Sequence, residues 1–158
     1  MSIYDEDPEL QSLVDFFQNM ISERPTFDSF MDLADESPDL DTAVLKFETR
    51  DDFIGNAVYR ILHGGIISAV LDTAGGAAVF MSVYKQVKGK PREYQTKTIS
   101  KNATVDLRVD YLRPGKGKRF TAKAWILRAG NKFAVTRMEL TNEDDVLIAV
   151  GTGTYSVG

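Results

Sequence analysis

The sequence predicts an α+β protein in which one long buried helix is wrapped by a curved antiparallel sheet. Residues 64–83 read GGIISAVLDTAGGAAVFMSV, apolar nearly all round and dense in Gly and Ala, as befits a helix enclosed by other structure. From residue 105 the apolar period becomes two, Val105, Leu107, Val109 and Tyr111 alternating with Asp106, Arg108 and Asp110. Turn signals then recur at hairpin intervals, at Pro114-Gly115, Gly130-Asn131 and Asn142 to Asp145. A curved sheet around one helix buries both apolar surfaces at once, although an α+β sandwich satisfies the same pattern.

Each element has its own local reason. Asp7-Pro8 reads as an N-cap followed by proline at the first helical position. Leu10, Val14, Phe17 and Ile21 then recur at helical spacing, with Leu13 and Met20 beside them, predicting an amphipathic helix over 8–21. Pro25 to Met31 adds a short helical or coiled piece, Pro38 closes the region, and Val44-Leu45-Lys46-Phe47 reads as a first strand. Within the long helix, glycine costs roughly 1 kcal/mol per interior position, so Gly75 and Gly76 predict close packing against another backbone. Residues 85–101 carry Lys85, Lys88, Lys90, Arg92, Lys97 and Lys101 with Gly89 and Pro91, and are expected to form a basic, mobile loop. Strands are expected over 105–111, 120–127, 133–140 and 146–155, forming a meander in chain order. No repeat or linker interrupts the chain, so a single domain is expected over 1–158, with 1–39 a helical extension within it.

Composition narrows the chemistry. There is no cysteine, which removes disulfides, thiol nucleophiles and thiolate-bound metals. With one histidine and no recognisable carboxylate loop, no metal site is expected. The acidic N-terminus lacks the basic region of a signal peptide, and the apolar stretches are interrupted by Gly, Asp or Lys, so a cytoplasmic protein without membrane insertion is expected. Charge is unevenly spread. Residues 1–41 hold twelve acids against Arg24 alone, whereas residues 85–132 hold fourteen Lys or Arg against Glu93, Asp106 and Asp110. That basic half fits a solvated sheet rim or a surface for a polyanionic ligand. Overall acidity and the lack of a recognition motif favour a phosphorylated small molecule over nucleic acid.

Two positions stand out chemically. His63 precedes Gly64 and Gly65 where a helix is expected to begin, and unpaired amides at a helix start hold an anion or a developing oxyanion. A loop histidine bonded to its own backbone fits the same residues. Asp72 is the only charged residue between His63 and Lys85. Burying an unpaired carboxylate is expensive, so Asp72 is either a structural hydrogen-bonding group at a seam or a base or nucleophile facing a cleft. It lies nine residues after His63, about two and a half helical turns, so the two cannot meet at one point on one helix. A shared site would need the His63 loop of an opposing subunit. Gly64 or Gly65 amides, Asp72 and a polar side chain such as Asn56 would then supply a carbonyl-polarising group, a base and a water-positioning group. Ser68 lacks a nucleophile-elbow context, and Gly151-Thr152-Gly153-Thr154 falls late in a strand with no following helix, unlike a dinucleotide loop.

The segments GNAVYRILHGGIISAVLDTAGG, TVDLRVDYLRPG, ILRAGNKFAVTRMEL and IAVGTGTY occur in an order that resembles the PaaI-like hotdog acyl-CoA thioesterases, and within them the YigI-like medium- and long-chain group. The resemblance covers residues 40–157. It implies a hotdog fold and a homodimer, or a dimer of dimers, with active sites at the subunit interface. It further implies His63, Gly64 and Gly65 as the family's His-Gly-Gly, with the Gly64 amide as oxyanion donor and Asp72 as base or nucleophile. Thr104 matches the polar residue that helps hold the water. Asn56 matches the loop asparagine, seven positions before His63 where some members have six. Gly65 and the basic residues Arg113, Lys116, Lys118, Arg119 and Arg128 would contact CoA, arginine favouring bidentate phosphate contacts.

The expected function is hydrolysis of medium- to long-chain acyl-CoA to fatty acid and CoA, with no cofactor because CoA is part of the substrate. An acyl-carrier thioester would suit the same basic surface. Two other readings share the residues: an enoyl-thioester hydratase or dehydratase, and a non-catalytic acyl-CoA-binding module.

Overall fold

The computed structural model describes residues 2–158. The chain runs α1 (Ile3–Glu6), α2 (Pro8–Ser22), α3 (Phe27–Met31), β1 (Ala34–Asp35), β2 (Thr42–Glu48), a 3-10 turn (Asp51–Phe53), β3 (Ile54–Asn56) and β4 (Ile61–Leu62). It continues with α4 (Gly64–Val87), α5 (Arg92–Ile99), β5 (Ala103–Tyr111), β6 (Arg119–Ala129), β7 (Phe133–Asn142) and β8 (Leu147–Ser156). The expected long helix and its sheet are both present, in the hotdog arrangement. α4 packs Val70, Leu71, Ala74 and Ala78 into a core with Ala122 and Ala124 of β6 and with Met138 and Leu140 of β7. The alanines of β6 let the helix axis lie close to the sheet, while each fully buried Leu contributes about 1.5–3 kcal/mol. α4 is long and apolar enough to span a bilayer by length and composition alone, its best window reaching a mean hydropathy of 1.7, so Asp72 and the glycines interrupt its apolar run less than expected. Its enclosure by the sheet accounts for that composition.

The main sheet has the order β1-β2-β6-β7-β8-β5, antiparallel throughout, and β3 with β4 forms a separate small ribbon. Only β6, β7 and β8 form a meander. β5 lies beyond β8, pairing Tyr111 with Ala149 and Thr104 with Tyr155. The expectation of four strands in chain order is therefore corrected. Residues 112–118 cross from one sheet edge to β6 around the β7–β8 turn. They are held there by Leu112 and Arg113 N–H groups on Ile148 O, and by the Asn142 side chain on Lys116 O. These are side-chain and backbone contacts distant in sequence, which a local alternation pattern does not carry.

The basic segment after α4 is also not a loop throughout. Residues 88–91 turn, with Gly89 at φ +75°, α5 follows, and residues 100–101 turn again before β5. α5 has almost no apolar periodicity. Its inward side is Gln95 and Ile99, one turn apart and buried, and the Gln95 amide donates to Glu9 and to Val87 O.

Glu9 belongs to α2, which a polar clasp fixes to the far end of α4. Asp7 caps α2 through Leu10 N–H at 3.2 Å and accepts from the Tyr84 hydroxyl at 3.0 Å and from Lys88 Nζ at 2.6 Å. Glu9 adds a bond from Gly89 N–H at 2.8 Å. Behind this clasp Leu10 and Leu13 are fully buried with Val79, Val83 and Tyr84.

Close packing does explain Gly75, but the neighbour is a ring rather than a backbone. A Cβ there would lie 2.2 Å from the Tyr155 hydroxyl oxygen, and one at Gly153 would lie 2.7 Å from the same ring. The Tyr155 ring thus occupies space that two glycines leave. Gly75→Ala is expected to destabilise the fold by about 1–3 kcal/mol, read as a lower denaturant midpoint.

Candidate active site

α4 begins where His63 takes an extended backbone, φ −63° and ψ 137°, and caps the helix through Nδ1, which accepts the Gly65 N–H at 2.8 Å. The histidine is therefore bonded to its own backbone, and the Gly65 amide is engaged. Among the described residues the Gly64 N–H has no acceptor, so it is the free amide at the positive end of the helix. Tyr111 steadies this turn by donating to Gly64 O at 2.9 Å.

The β3–β4 ribbon lies against the same turn. A Cβ on Gly55 would fall 2.7 Å from His63 Cα, so only glycine admits this approach. Asn56 follows, its Oδ1 accepting Val58 and Tyr59 N–H groups at 3.1 Å each. That Asx-type turn uses the carbonyl oxygen and leaves the side-chain NH₂ to donate.

Asp72 sits half-buried two turns further along α4. Thr104 Oγ donates to Asp72 Oδ1 at 2.9 Å, and the Tyr155 hydroxyl lies 3.0 Å from Oδ1 and 2.9 Å from the Asp72 main-chain oxygen. The pairing register places Thr104 opposite Tyr155, and the irregularity between Thr104 and Asp106 sets that end of β5 apart from the rest of the ladder. Burial first, then the neighbouring Asp72 charge and hydrogen bond, push the Tyr155 phenol well above its ordinary value, so it stays a donor. Among the described residues Asp72 Oδ2 accepts no hydrogen bond. It is the oxygen left to take a proton or attack a carbonyl. Asp72, Thr104 and Tyr155 open onto a groove of about 410 Å³ between α4 and α2.

Tyr155 did not stand out in the sequence, yet a signal was there. β8 turns Ala149, Gly151, Gly153 and Tyr155 inward, and a buried tyrosine hydroxyl needs a partner. Asp72 is the one carboxylate in the buried stretch of α4.

The expected site residues thus fall into two groups within one chain. Asn56, His63, Gly64 and Gly65 gather at the start of α4, whereas Asp72 and Thr104 lie about 13 Å further along the helix axis. The basic residues favour the first group. Leu62 N–H donates to Gly115 O at 2.9 Å, tying the 112–118 segment beside the start of α4. There Lys116, Lys118 and Arg119 join Arg60 along a cleft of about 900 Å³. Glu143 organises it by accepting Lys118 N–H at 2.8 Å and Arg119 N–H at 3.3 Å, and these backbone bonds hold its carboxyl below the usual range. Arg113 is tied to Leu147 O at 2.9 Å near by. Arg128 does not join them in the protomer, because it stands nine residues along β6 from Arg119, roughly 30 Å of extended strand. Among the described residues no cluster of three or more His, Asp or Glu is arranged for a metal ion.

A curved antiparallel sheet wrapped around one long helix is the hotdog fold. The chain belongs to the thioesterase superfamily, whose family model matches residues 59–149. Over 116 residues it is 47% identical to the medium/long-chain acyl-CoA thioesterase YigI of Salmonella typhimurium, covering 73% of this chain and 75% of that protein. A Shewanella oneidensis structure related to the thioesterase superfamily superposes with a TM-score of 0.81 at 35% identity, covering 92% of this chain and 97% of the other. The PaaI protein of the Escherichia coli phenylacetic acid degradation operon shares the fold, with a TM-score of 0.67 at 19% identity over 89% of this chain and 90% of that one.

Proposed function

We propose that this protein hydrolyses medium- to long-chain acyl-CoA to a fatty acid and CoA, with Asp72 activating the attacking water. The observation that carries this reading is the Asp72 carboxylate, held by Thr104 and Tyr155 on one oxygen and free on the other, at the mouth of a groove. Asp72 takes a proton as the water oxygen bonds to the thioester carbon. The carbonyl oxygen becomes an oxyanion facing the Gly64 N–H. Collapse of that intermediate breaks the C–S bond, and the CoA thiolate takes up the proton.

Gly64 lies too far along α4 from Asp72 in one chain to serve the same carbonyl, so the reading requires a second copy. The open edge of β5 supports a homodimer, since it pairs only with β8 and leaves Val105, Tyr111 and Leu112 exposed. A two-fold partner at that edge would bring its own His63 turn, Asn56 side-chain amide and Lys116–Arg119 cluster towards Asp72. The CoA phosphates suit that cluster. Within one chain His63 and Asp72 form no coupled acid–base pair, so a hydratase would need the same second copy, and following the double-bond absorbance of an enoyl-CoA separates hydration from thiol release.

Free-thiol release from acyl-CoAs of graded length, with wild type beside Asp72→Ala, tests the proposal. Release that requires Asp72 supports it; stoichiometric binding without release would move the protein to the binding-module reading. Tyr155 acts through Asp72 as a positioning residue. Tyr155→Phe is expected to lower kcat about tenfold with little change in KM, the scale of one hydrogen bond to a charged group.

A further inference from the structure

We infer that the groove between α2 and α4 is the acyl-chain subsite, and that Gly76 keeps it open one helical turn beyond Asp72. The inference rests on the thioesterase reading and adds where the chain lies and what limits its length. Asp72, Gly76 and Phe80 recur at four-residue spacing and so share one face of α4, with Ala77 beside them, spanning about 12 Å along the axis. α2 supplies the opposite wall with Val14, Phe17 and Ile21. Phe17 and Phe80 meet edge to face, centroids 6.2 Å apart, at the end away from Asp72.

The charges at the groove select its occupant. Asp28, Asp35 and Asp72 line it and, among the described residues, no Lys or Arg does, so the polyanionic end of a CoA ester is disfavoured there. The uncharged acyl chain fits, with its thioester end at Asp72 and its CoA end directed away. The groove is also preformed. The Asp7–Tyr84–Lys88 clasp and the Glu9 bonds fix α2 against the far end of α4 without any ligand.

Gly76 supplies the independent observation. Gly75 must be glycine because Tyr155 fills the space of its side chain, but a Cβ on Gly76 would meet nothing closer than Tyr155 Cε1 at 3.9 Å. Its backbone is ordinary helix, where alanine is intrinsically favoured. The Asn102 side chain donates to Gly76 O at 3.0 Å, a bond that any residue's carbonyl would accept. Among the described residues no contact therefore requires a glycine there, whereas a ligand running along the groove does.

The test compares wild type with Gly76→Ala, Gly76→Val and Phe17→Ala, measuring thiol release from butyryl-, dodecanoyl- and hexadecanoyl-CoA. Gly76→Val is expected to lower the dodecanoyl-to-butyryl ratio of kcat/KM at least tenfold, about what the loss of two buried methylenes would cause. Gly76→Ala should do so more weakly without lowering the thermal midpoint, and Phe17→Ala should raise the hexadecanoyl-to-dodecanoyl ratio. An unchanged ratio in Gly76→Val, or an equal loss at every chain length, overturns the inference. Affinity for non-hydrolysable acyl-CoA thioethers, measured by calorimetry, separates this from the parent reading. A wild type that releases no thiol sinks the thioesterase reading alone. The groove then stands if thioether affinity rises about fourfold per methylene in wild type and less in Gly76→Val, and falls if affinity ignores chain length.

Discussion

Asp72→Asn lowers kcat by between about a hundredfold and ten-thousandfold, the range spanned by loss of a positioned general base. The substitution is nearly isosteric. Its amide oxygen still accepts from Thr104 and Tyr155, the two groups that meet Asp72 Oδ1, so the fold around α4 is retained. What disappears is the basicity of the second oxygen. Steady-state thiol release gives the fall in kcat, and an unchanged denaturation midpoint shows that turnover, not folding, was lost. A single turnover in ¹⁸O-labelled water tests the role. Label in the fatty acid supports Asp72 as a base, and label in the Asp72 carboxylate makes it the nucleophile. Turnover within threefold of wild type would remove Asp72 from the chemistry.

Asp7→Ala is expected to cost about 2–4 kcal/mol of stability, the sum of a lost helix cap and a buried hydroxyl left without its acceptor. Tyr84 is fully buried, and its hydroxyl has Asp7 as its partner. Asp7→Asn keeps an acceptor for both Leu10 N–H and Tyr84 and should cost less; equal stability of Asp7→Ala and wild type in urea would refute the clasp. Burial alone would raise the Asp7 carboxyl, but the bonds from Lys88, Leu10 N–H and Tyr84, with the Lys88 charge, together hold it below its ordinary value. A carboxyl depressed in the folded state contributes stability above its unfolded value near 4, and that contribution is lost as pH falls through the folded value. Wild type should therefore weaken on acidification below about pH 4, while Asp7→Ala responds less over that window.

The elements legible in the sequence are those whose signal is local. α2 announces itself by Asp7-Pro8 and its apolar spacing, and α4 by unbroken apolarity around a single carboxylate. α5 was hidden because polar Gln95 forms its anchor, bonded to Glu9 at a distance of eighty-six residues in sequence. The position of β5 was hidden for a similar reason. Alternation shows that a strand exists but does not name its neighbour, and here the neighbour is the last strand. In the candidate site, the residue types at His63, Gly64 and Asp72 were readable, and so was the separation of His63 from Asp72, because their nine-residue spacing meets the fixed rise of a helix. Thr104 entered only through family resemblance. Tyr155 was missed because its role depends on the space left by Gly75 and Gly153, which is a property of packing rather than of pattern.

The place of β5 beside β8 also fixes an order of assembly during synthesis. Residues 103–111 emerge well before their hydrogen-bonding partner at 147–156, so β5 must wait, unpaired, while β6 and β7 are made. Until β8 arrives, Asp72 lacks Tyr155 and one flank of α4 stays bare, leaving the nascent chain with sticky apolar surface and no finished catalytic carboxylate. Completion of the sheet and completion of the carboxylate's hydrogen-bond set are thus a single event, brought about by the final strand.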